Sequence, residues 1–383
     1  MKSLSLACAT LLLVFSSESM ADDQVPPPAT LLALTTMVEE AYDANDAVAL
    51  GAAIFDANGV IEMAVVGERA AGSGVPVTTE DLWHIGSDTK AMTATLLARL
   101  GAQGVVNLDA SLAELLPDLA DDIHEGYADV SVAQILSHGA GLVPNPGLLR
   151  MFQLRASTAP RPEQRLEIAR RALSNAPAFE PGTGYQYSNI GYIIAGAILE
   201  TQTGRAWEDL IQQELFAPLG MSSAGFGGPG TAGEMDQPRG HRGGIFGKAV
   251  AGVGAAGDNP LAFGPAGTVH LSLEDWAQFG AEHLRGARGE SEYLNQETYA
   301  QLHTPLSPDG DYAMGWGVAE VETATGVQVS LRHAGSNTMW FALIDLRPEQ
   351  GLGILVVTND GTDDGQDAAR DLTLRLRSEV FGE

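Results

Sequence analysis

Hydrophobic and polar positions divide the chain into a strand-rich start, a long helical middle and a strand-rich end. After Pro26-Pro27-Pro28, residues 30–45 place apolar side chains at helical spacing. Two strand-like runs follow, 48–55 and 60–66. The Asn58-Gly59 pair between them is a hairpin signal, because both residue types tolerate the positive φ of a tight turn. From about 88 to 305 the period is mainly helical with interrupting loops, and 224–269 is rich in Gly, Ala and Pro with little periodicity. Strand character returns at 314–321, 327–332, 339–345 and 352–358, and a helical stretch over 364–380 closes the chain.

This order predicts an α+β fold. Both ends of the chain supply one antiparallel sheet flanked by the terminal helices, and an all-helical part is inserted between them. The sheet part falls at about 30–88 and 306–383, and the mainly helical part at about 89–305. Strands do not alternate with helices as a doubly wound fold requires, and there is no internal repeat.

The first residues change the picture. Lys2 precedes an apolar run over 4–15, and small residues, Ser19 and Ala21, stand at the -3 and -1 positions of a cut after Ala21. This is the pattern of a cleaved secretory signal over 1–21, leaving a mature chain of 22–383 that is periplasmic or secreted. The run is too short to span a bilayer, and no later stretch is longer and apolar. Cys8, the only cysteine, lies inside it, so the mature chain has no thiol for disulfides, thiolate catalysis or Cys-based metal sites. The balance of 21 Lys+Arg against 49 Asp+Glu gives a net charge of -28, which repels nucleic acid and anionic lipid as partners. The acidic run at Asp360, Asp363, Asp364 and Asp367 lacks the spacing of a calcium loop and reads as solvated.

Three short segments carry candidate chemistry. Ser87-Asp88-Thr89-Lys90 opens an almost uncharged helical run, with Lys90 one turn after Ser87 on the same face. A serine at a helix start sits where free N–H groups favour developing negative charge, and a lysine against an apolar helix is pushed toward its neutral, proton-accepting form. Taken alone, Ser87 reads equally as an N-cap and Lys90 as a snorkelling surface residue. Tyr187-Ser188-Asn189 opens a second apolar helix after a turn-rich approach. A phenol there works as a base near neutrality only if cations lower its pKa, and Asn189 can face an acyl carbonyl or hold Lys90. Alternatively, Ser188 or Asn189 simply caps the helix. His333-Ala334-Gly335-Ser336 lies at the end of one strand run with another close behind, unlike the other His-x-Gly matches at His124 and His241. A glycine there permits close approach to the strand backbone, and the Ser336 amide can pair with that of Ser87 as an oxyanion hole.

Together the three segments resemble the serine β-lactamase-like superfamily, closest to the class C branch with its penicillin-binding D-Ala peptidases and β-lactamase-like carboxylesterases. Residues 132–142, Gly264-Pro265-Ala266-Gly267 and Leu273-Glu274-Asp275-Trp276 resemble it too, and the likeness runs over about 31–380. It implies a β-lactamase/transpeptidase-like fold with the site in a crevice between sheet and helical part. By the same resemblance Ser87 is the nucleophile, Lys90 its activator, Tyr187 the general base, Asn189 a substrate-facing amide, and Ser336 an oxyanion donor, with His333 and Gly335 beside it. The implied reaction is hydrolysis of an ester or amide of a small molecule or peptide through an acyl-enzyme, with no metal or organic cofactor. True β-lactamases of this branch carry Lys where His333 stands, so esterase or D-amino-acid peptidase ranks ahead of β-lactamase, and a slowly deacylating penicillin-binding sensor is the reading from another class. Arg332 could supply charge but, one residue away on a strand, should point to the other face. The Gly-x-Gly-x-x-Gly matches at Gly225–Gly230 and Gly252–Gly257 do not link a strand to a helix and read as loop, and Trp316 and Trp340 read either as an acyl-pocket lining or as core.

Overall fold

The computed structural model describes residues 34–383 except 245–246, 307–309 and 324–325. The expected secretory signal at 1–21 lies outside the described residues.

In chain order the first elements are α1 (Leu34–Asn45), β1 (Ala49–Asp56), β2 (Gly59–Gly67), β3 (Trp83–His84) and α2 (Thr89–Ala102). The middle contains α3 (Leu112–Leu115), α4 (Val132–Leu136), α5 (Leu148–Ala156), α6 (Arg161–Leu173), α7 (Asn189–Thr203) and α8 (Trp207–Ile211). It continues through β4 (Gly225–Phe226), β5 (His241–Gly244), β6 (Gly247–Val250), α9 (Gly264–Gly267), β7 (Val269–Leu271), α10 (Leu273–Arg288) and α11 (Gln296–His303). The closing elements are β8 (Gly317–Thr323), β9 (Gly326–Ser336), β10 (Phe341–Arg347), β11 (Leu352–Thr358) and α12 (Asp363–Leu376). These residues belong to one compact unit, Leu32–Glu383.

The two ends of the chain meet in one six-stranded antiparallel sheet of order β2-β1-β11-β10-β9-β8, as the strand pattern predicts. Central β1 reads as a continuous apolar run because both its faces are covered. Leu50, Ala52 and Ile54 join α1 and α12 in one core, while Ala49, Ala53 and Phe55 enter the larger core on the other face. On that second face α10 lies so close that a Cβ on Gly280 would come 2.4 Å from Phe55 Cζ. The terminal acidic run is part of the frame: Asp363 and Asp364 sit in the first turn of α12, where the dipole favours them, and Asp360 and Asp364 pair with Lys248 at 2.8 and 3.2 Å.

The helical middle departs from the expectation in one respect. The stretch over 224–269 carries short strands: β4, which joins β3 and β7 in a sheet of order β3-β7-β4, and the β5-β6 hairpin. With two to four residues each, these strands are too short to leave a periodic signal. Helices α2 and α7 are buried around almost their whole circumference, since they lie inside the main core rather than on its surface. Burying a leucine such as Leu96 or Leu97 of α2 contributes roughly 2 kcal/mol each. Ser188 caps α7 by accepting from the Gly191 amide at 3.2 Å, and Gly204 at φ 69° ends it.

Candidate active site

Ser87 lies in a 3₁₀ turn, Gly86–Asp88, that leads straight into α2, and the Ser87 side chain does not cap that helix. The hydroxyl is thus left for other work. Lys90, one turn on, is fully buried. Its Nζ donates to Ser87 Oγ at 3.0 Å, Asn189 Oδ1 at 2.7 Å and the Ala266 carbonyl at 2.6 Å. Burial lowers its pKa from 10.5 to about 7, against the opposing pull of the Asp88 charge. A neutral amine keeps two protons for Asn189 and Ala266 and turns its lone pair to Ser87.

Tyr187 stands on the approach to α7. Its ring lies under Lys90, with Nζ 4.8 Å from the centroid, and the Ser87 side chain is the neighbour that favours ionisation of its phenol. The condition set out for a phenolate base is not met. Burial raises the Tyr187 pKa, and only the nearby Ser87 side chain works to lower it. Lys90, its own pKa lowered to about 7 by burial, is not among the groups that lower the phenol.

Asn189 is committed on both sides: Oδ1 accepts from Lys90, and Nδ2 donates to Asn145 Oδ1 at 2.8 Å. It therefore anchors the lysine at the wall of the crevice. Asn145, the Ala266 carbonyl and Asp88 are partners that periodicity alone did not single out. His138 is another. Its ring packs against Tyr187 at 4.3 Å between centroids, and Nδ1 accepts from the Ser188 amide at 3.2 Å, while burial holds the imidazole neutral with a pKa lowered to about 2.

The third segment reaches the same place. Strand β9 runs on through Ser336, so His333 lies within the strand rather than at its end. A Cβ on Gly86 (φ 52°) would fall 2.4 Å from the Ser336 nitrogen, and one on Gly335 2.8 Å from the Ser87 nitrogen. Only glycine permits this approach, which brings the two amides side by side. The Ser336 hydroxyl accepts from the Thr338 amide and donates to the Trp340 carbonyl at 2.7 Å, so the segment offers its backbone, not its side chain. His333 Nε2 meets Tyr312 Oη at 2.9 Å, and its Nδ1 lies 3.4 Å from Asp88 Oδ1. The other His-x-Gly histidines are structural: His124 caps a turn, and His241 bridges the Ala71 amide and the Asn359 carbonyl.

Ser87, Asn189 and Ser336 border a cavity of about 400 Å³ whose far wall is apolar, with Leu148, Met151 and Phe263. The 251–259 segment is fastened beside it through a buried pair, His84 Nε2 to Asp258 Oδ2 at 2.9 Å, and through Asn337 Nδ2 donating to Asp258 Oδ1 at 3.1 Å. A second cavity of about 390 Å³ is bordered by Tyr187, His333, Arg332 and Arg377. Strand alternation leaves Arg332 exposed and His333 buried, yet both reach this cavity. Trp316 and Trp340 are buried core and border neither cavity.

Sheet, helical wall and the cluster between them define the β-lactamase/transpeptidase-like serine hydrolases. A sequence model of the Beta-lactamase family matches residues 34–377. Penicillin-binding protein 4 of Amycolatopsis lactamdurans is 26% identical over 310 residues, covering 76% of this chain and 75% of that protein. Esterase EstB of Burkholderia gladioli is 29% identical over 167 residues, 40% of this chain and 41% of its own. The structure of D-amino acid amidase from Ochrobactrum anthropi SV3 with L-phenylalanine amide superposes with a TM-score of 0.68 at 20% identity, over 90% of this chain and 99% of the amidase. The chain belongs to the Beta-lactamase family and is a hydrolytic enzyme of that group. Among the described residues no helix is long and apolar enough to cross a membrane.

Proposed function

We propose that Ser87 attacks an ester or amide carbonyl and forms an acyl-enzyme that water then hydrolyses. The observation that carries this reading is the buried Lys90, whose amine reaches Ser87 Oγ and is poised near neutrality between its charged and neutral forms. In the first step neutral Lys90 takes the Ser87 proton as Oγ bonds to the carbonyl carbon. The Ser87 and Ser336 amides receive the oxyanion, a device worth about 10²–10³ in rate per donor. Tyr187, kept as a neutral phenol by burial, passes a proton to the leaving group and is resupplied from Lys90. In the second step the same groups activate water and return the proton to Ser87.

The apolar wall of the Ser87 cavity supports an apolar acyl group, and His333 in place of a lysine supports an ester or D-amino-acid peptide over a β-lactam. The names of the relatives, an esterase and an amidase among them, support the same choice. Ser87→Ala should abolish both turnover and covalent labelling by an acylating probe; an undiminished variant would refute the assignment. Rates on a short p-nitrophenyl ester, a D-Ala-D-Ala peptide and a chromogenic cephalosporin rank the substrates, and a dominant cephalosporin rate puts the β-lactam first and overturns that preference. A stable β-lactam adduct without turnover, read by intact mass, would favour the sensor. The segment over 1–21 supports export, which the mass of the secreted protein tests at the bond after Ala21.

A further inference from the structure

Helix α5 carries its polarity the wrong way round for a surface helix. Only Leu154 is buried, while Leu148, Leu149 and Phe152 are 76%, 72% and 64% exposed, the three most exposed large apolar side chains among the described residues. At about 100° per residue, positions 148, 149 and 152 fall on one face about 100° wide. An ordinary surface helix fills that face with polar groups. Single apolar side chains at a surface are common, but three together on one face mark a place where something apolar binds. The helix is held in position, since Arg155 donates to the Asp258 carbonyl at 2.9 Å and Asp258 is itself fastened by His84 and Asn337. The face is also continuous with the crevice. Leu148 belongs both to it and to the apolar wall of the Ser87 cavity, where Met151 of the same helix lies too.

We infer that the outer face of α5 is the second half of an acyl-chain track, and that the enzyme acts on esters or amides of straight-chain fatty acids too long for the Ser87 cavity to enclose. The chain leaves Ser87, crosses the cavity along Met151 and Leu148, and lies over Leu149 and Phe152 outside. This rests on the acyl-enzyme reading, which fixes the end from which the chain starts. The substrate's own chain fits the face better than other apolar occupants. Three side chains are a small part of the roughly 800 Å² per partner that a stable interface between subunits buries. A net charge of -28 opposes docking on an anionic lipid surface. A single alkyl chain needs neither a wide patch nor a favourable charge. Each methylene it takes out of water is worth about fourfold in transition-state binding when fully covered, and about twofold against a half-open face.

The test has two arms. In the first, kcat/KM is measured on p-nitrophenyl butyrate, hexanoate, octanoate and decanoate, each dissolved as monomers. It should climb about two- to fourfold per methylene. The double variant Leu149→Gln/Phe152→Gln should lower the decanoate-to-butyrate ratio about tenfold. Leu374→Gln, which replaces a similarly exposed leucine on α12, should leave that ratio as it is. A rate that peaks at butyrate, or a ratio that the double variant does not lower, overturns the proposal. So does a decanoate rate that appears only above the micelle-forming concentration, which would assign the face to an ester aggregate. A dimer in sedimentation that Phe152→Gln dissolves would assign it to a second copy, and overturns the proposal as well. The second arm needs no turnover: calorimetry of 1-decanol with Ser87→Ala protein should show binding, weakened about tenfold by adding Leu149→Gln/Phe152→Gln. No binding, or equal binding, refutes the track. A Ser87→Ala enzyme that still hydrolyses the esters sinks the acyl-enzyme reading, and the binding arm then decides the track by itself.

Discussion

Replacing Lys90 by methionine should change stability in a way that depends on pH, with a sign that follows from burial. The fall of the Lys90 pKa from 10.5 to about 7 corresponds, at about 1.4 kcal/mol per pH unit, to about 5 kcal/mol. Below pH 7 the group is protonated whether the chain is folded or not, and the folded protein bears the whole cost of the buried ammonium. Between 7 and 10.5 the unfolded chain holds a proton that the folded protein has lost, so stability rises with pH. Above 10.5 both are neutral and the cost is gone. Lys90→Met removes this dependence but strands Asn189 Oδ1 and the Ala266 carbonyl, at about 1–3 kcal/mol for each orphaned acceptor. Urea unfolding of both proteins from pH 6 to 10.5 should therefore show the variant gaining least, or losing most, at the alkaline end. The difference between the two should swing by about 5 kcal/mol across the window. A difference that stays constant with pH would mean that Lys90 keeps its ordinary pKa when folded, and the proposed base would be lost with it.

The other predictions test the rest of the frame. The wild-type kcat/KM should rise with pH through about 7 as Lys90 loses its proton, and Asn189→Leu, which removes an acceptor of the charged form, should move that limb downward; a flat profile from pH 5 to 9 would contradict the assignment. Gly335→Ala places a Cβ 1.9 Å from the Ile85 carbonyl and 2.8 Å from the Ser87 nitrogen, pushing β9 from the serine turn, so kcat should fall at least about 10²-fold; steady-state kinetics on an ester with unchanged turnover would refute the oxyanion pairing. Arg165 is buried against Glu200 and Glu208, the latter at 2.5 Å, and also holds the Ala262 carbonyl at 3.1 Å. Removing it takes the cation from buried Glu200, which keeps only the Trp207 amide, and leaves Glu208 to Arg161 at 3.1 Å, so Arg165→Ala should lose about 3–5 kcal/mol in urea unfolding.

Much of this protein is legible in one dimension because its determinants are local. The long strands show in the apolar runs, the β1–β2 hairpin in Asn58-Gly59, and the buried helices α2 and α7 in the near absence of charge along them. Ser87 and Lys90 are legible as a pair because one helical turn fixes their separation whatever the remainder of the chain does. The tertiary structure alone decided what those groups are worth. The pKa of Lys90 falls because α2 is sealed inside the core, and the partners that fix its proton, Asn189 and the Ala266 carbonyl, lie 99 and 176 positions away in the chain. Burial likewise turned Tyr187 from the expected phenolate into a neutral phenol. Asp88, hidden within the serine–lysine turn, gained a partner only when β9 was laid across it, with His333 contributed from 245 positions further on. Spacing along a helix is a property of the backbone, whereas desolvation belongs to everything packed around it.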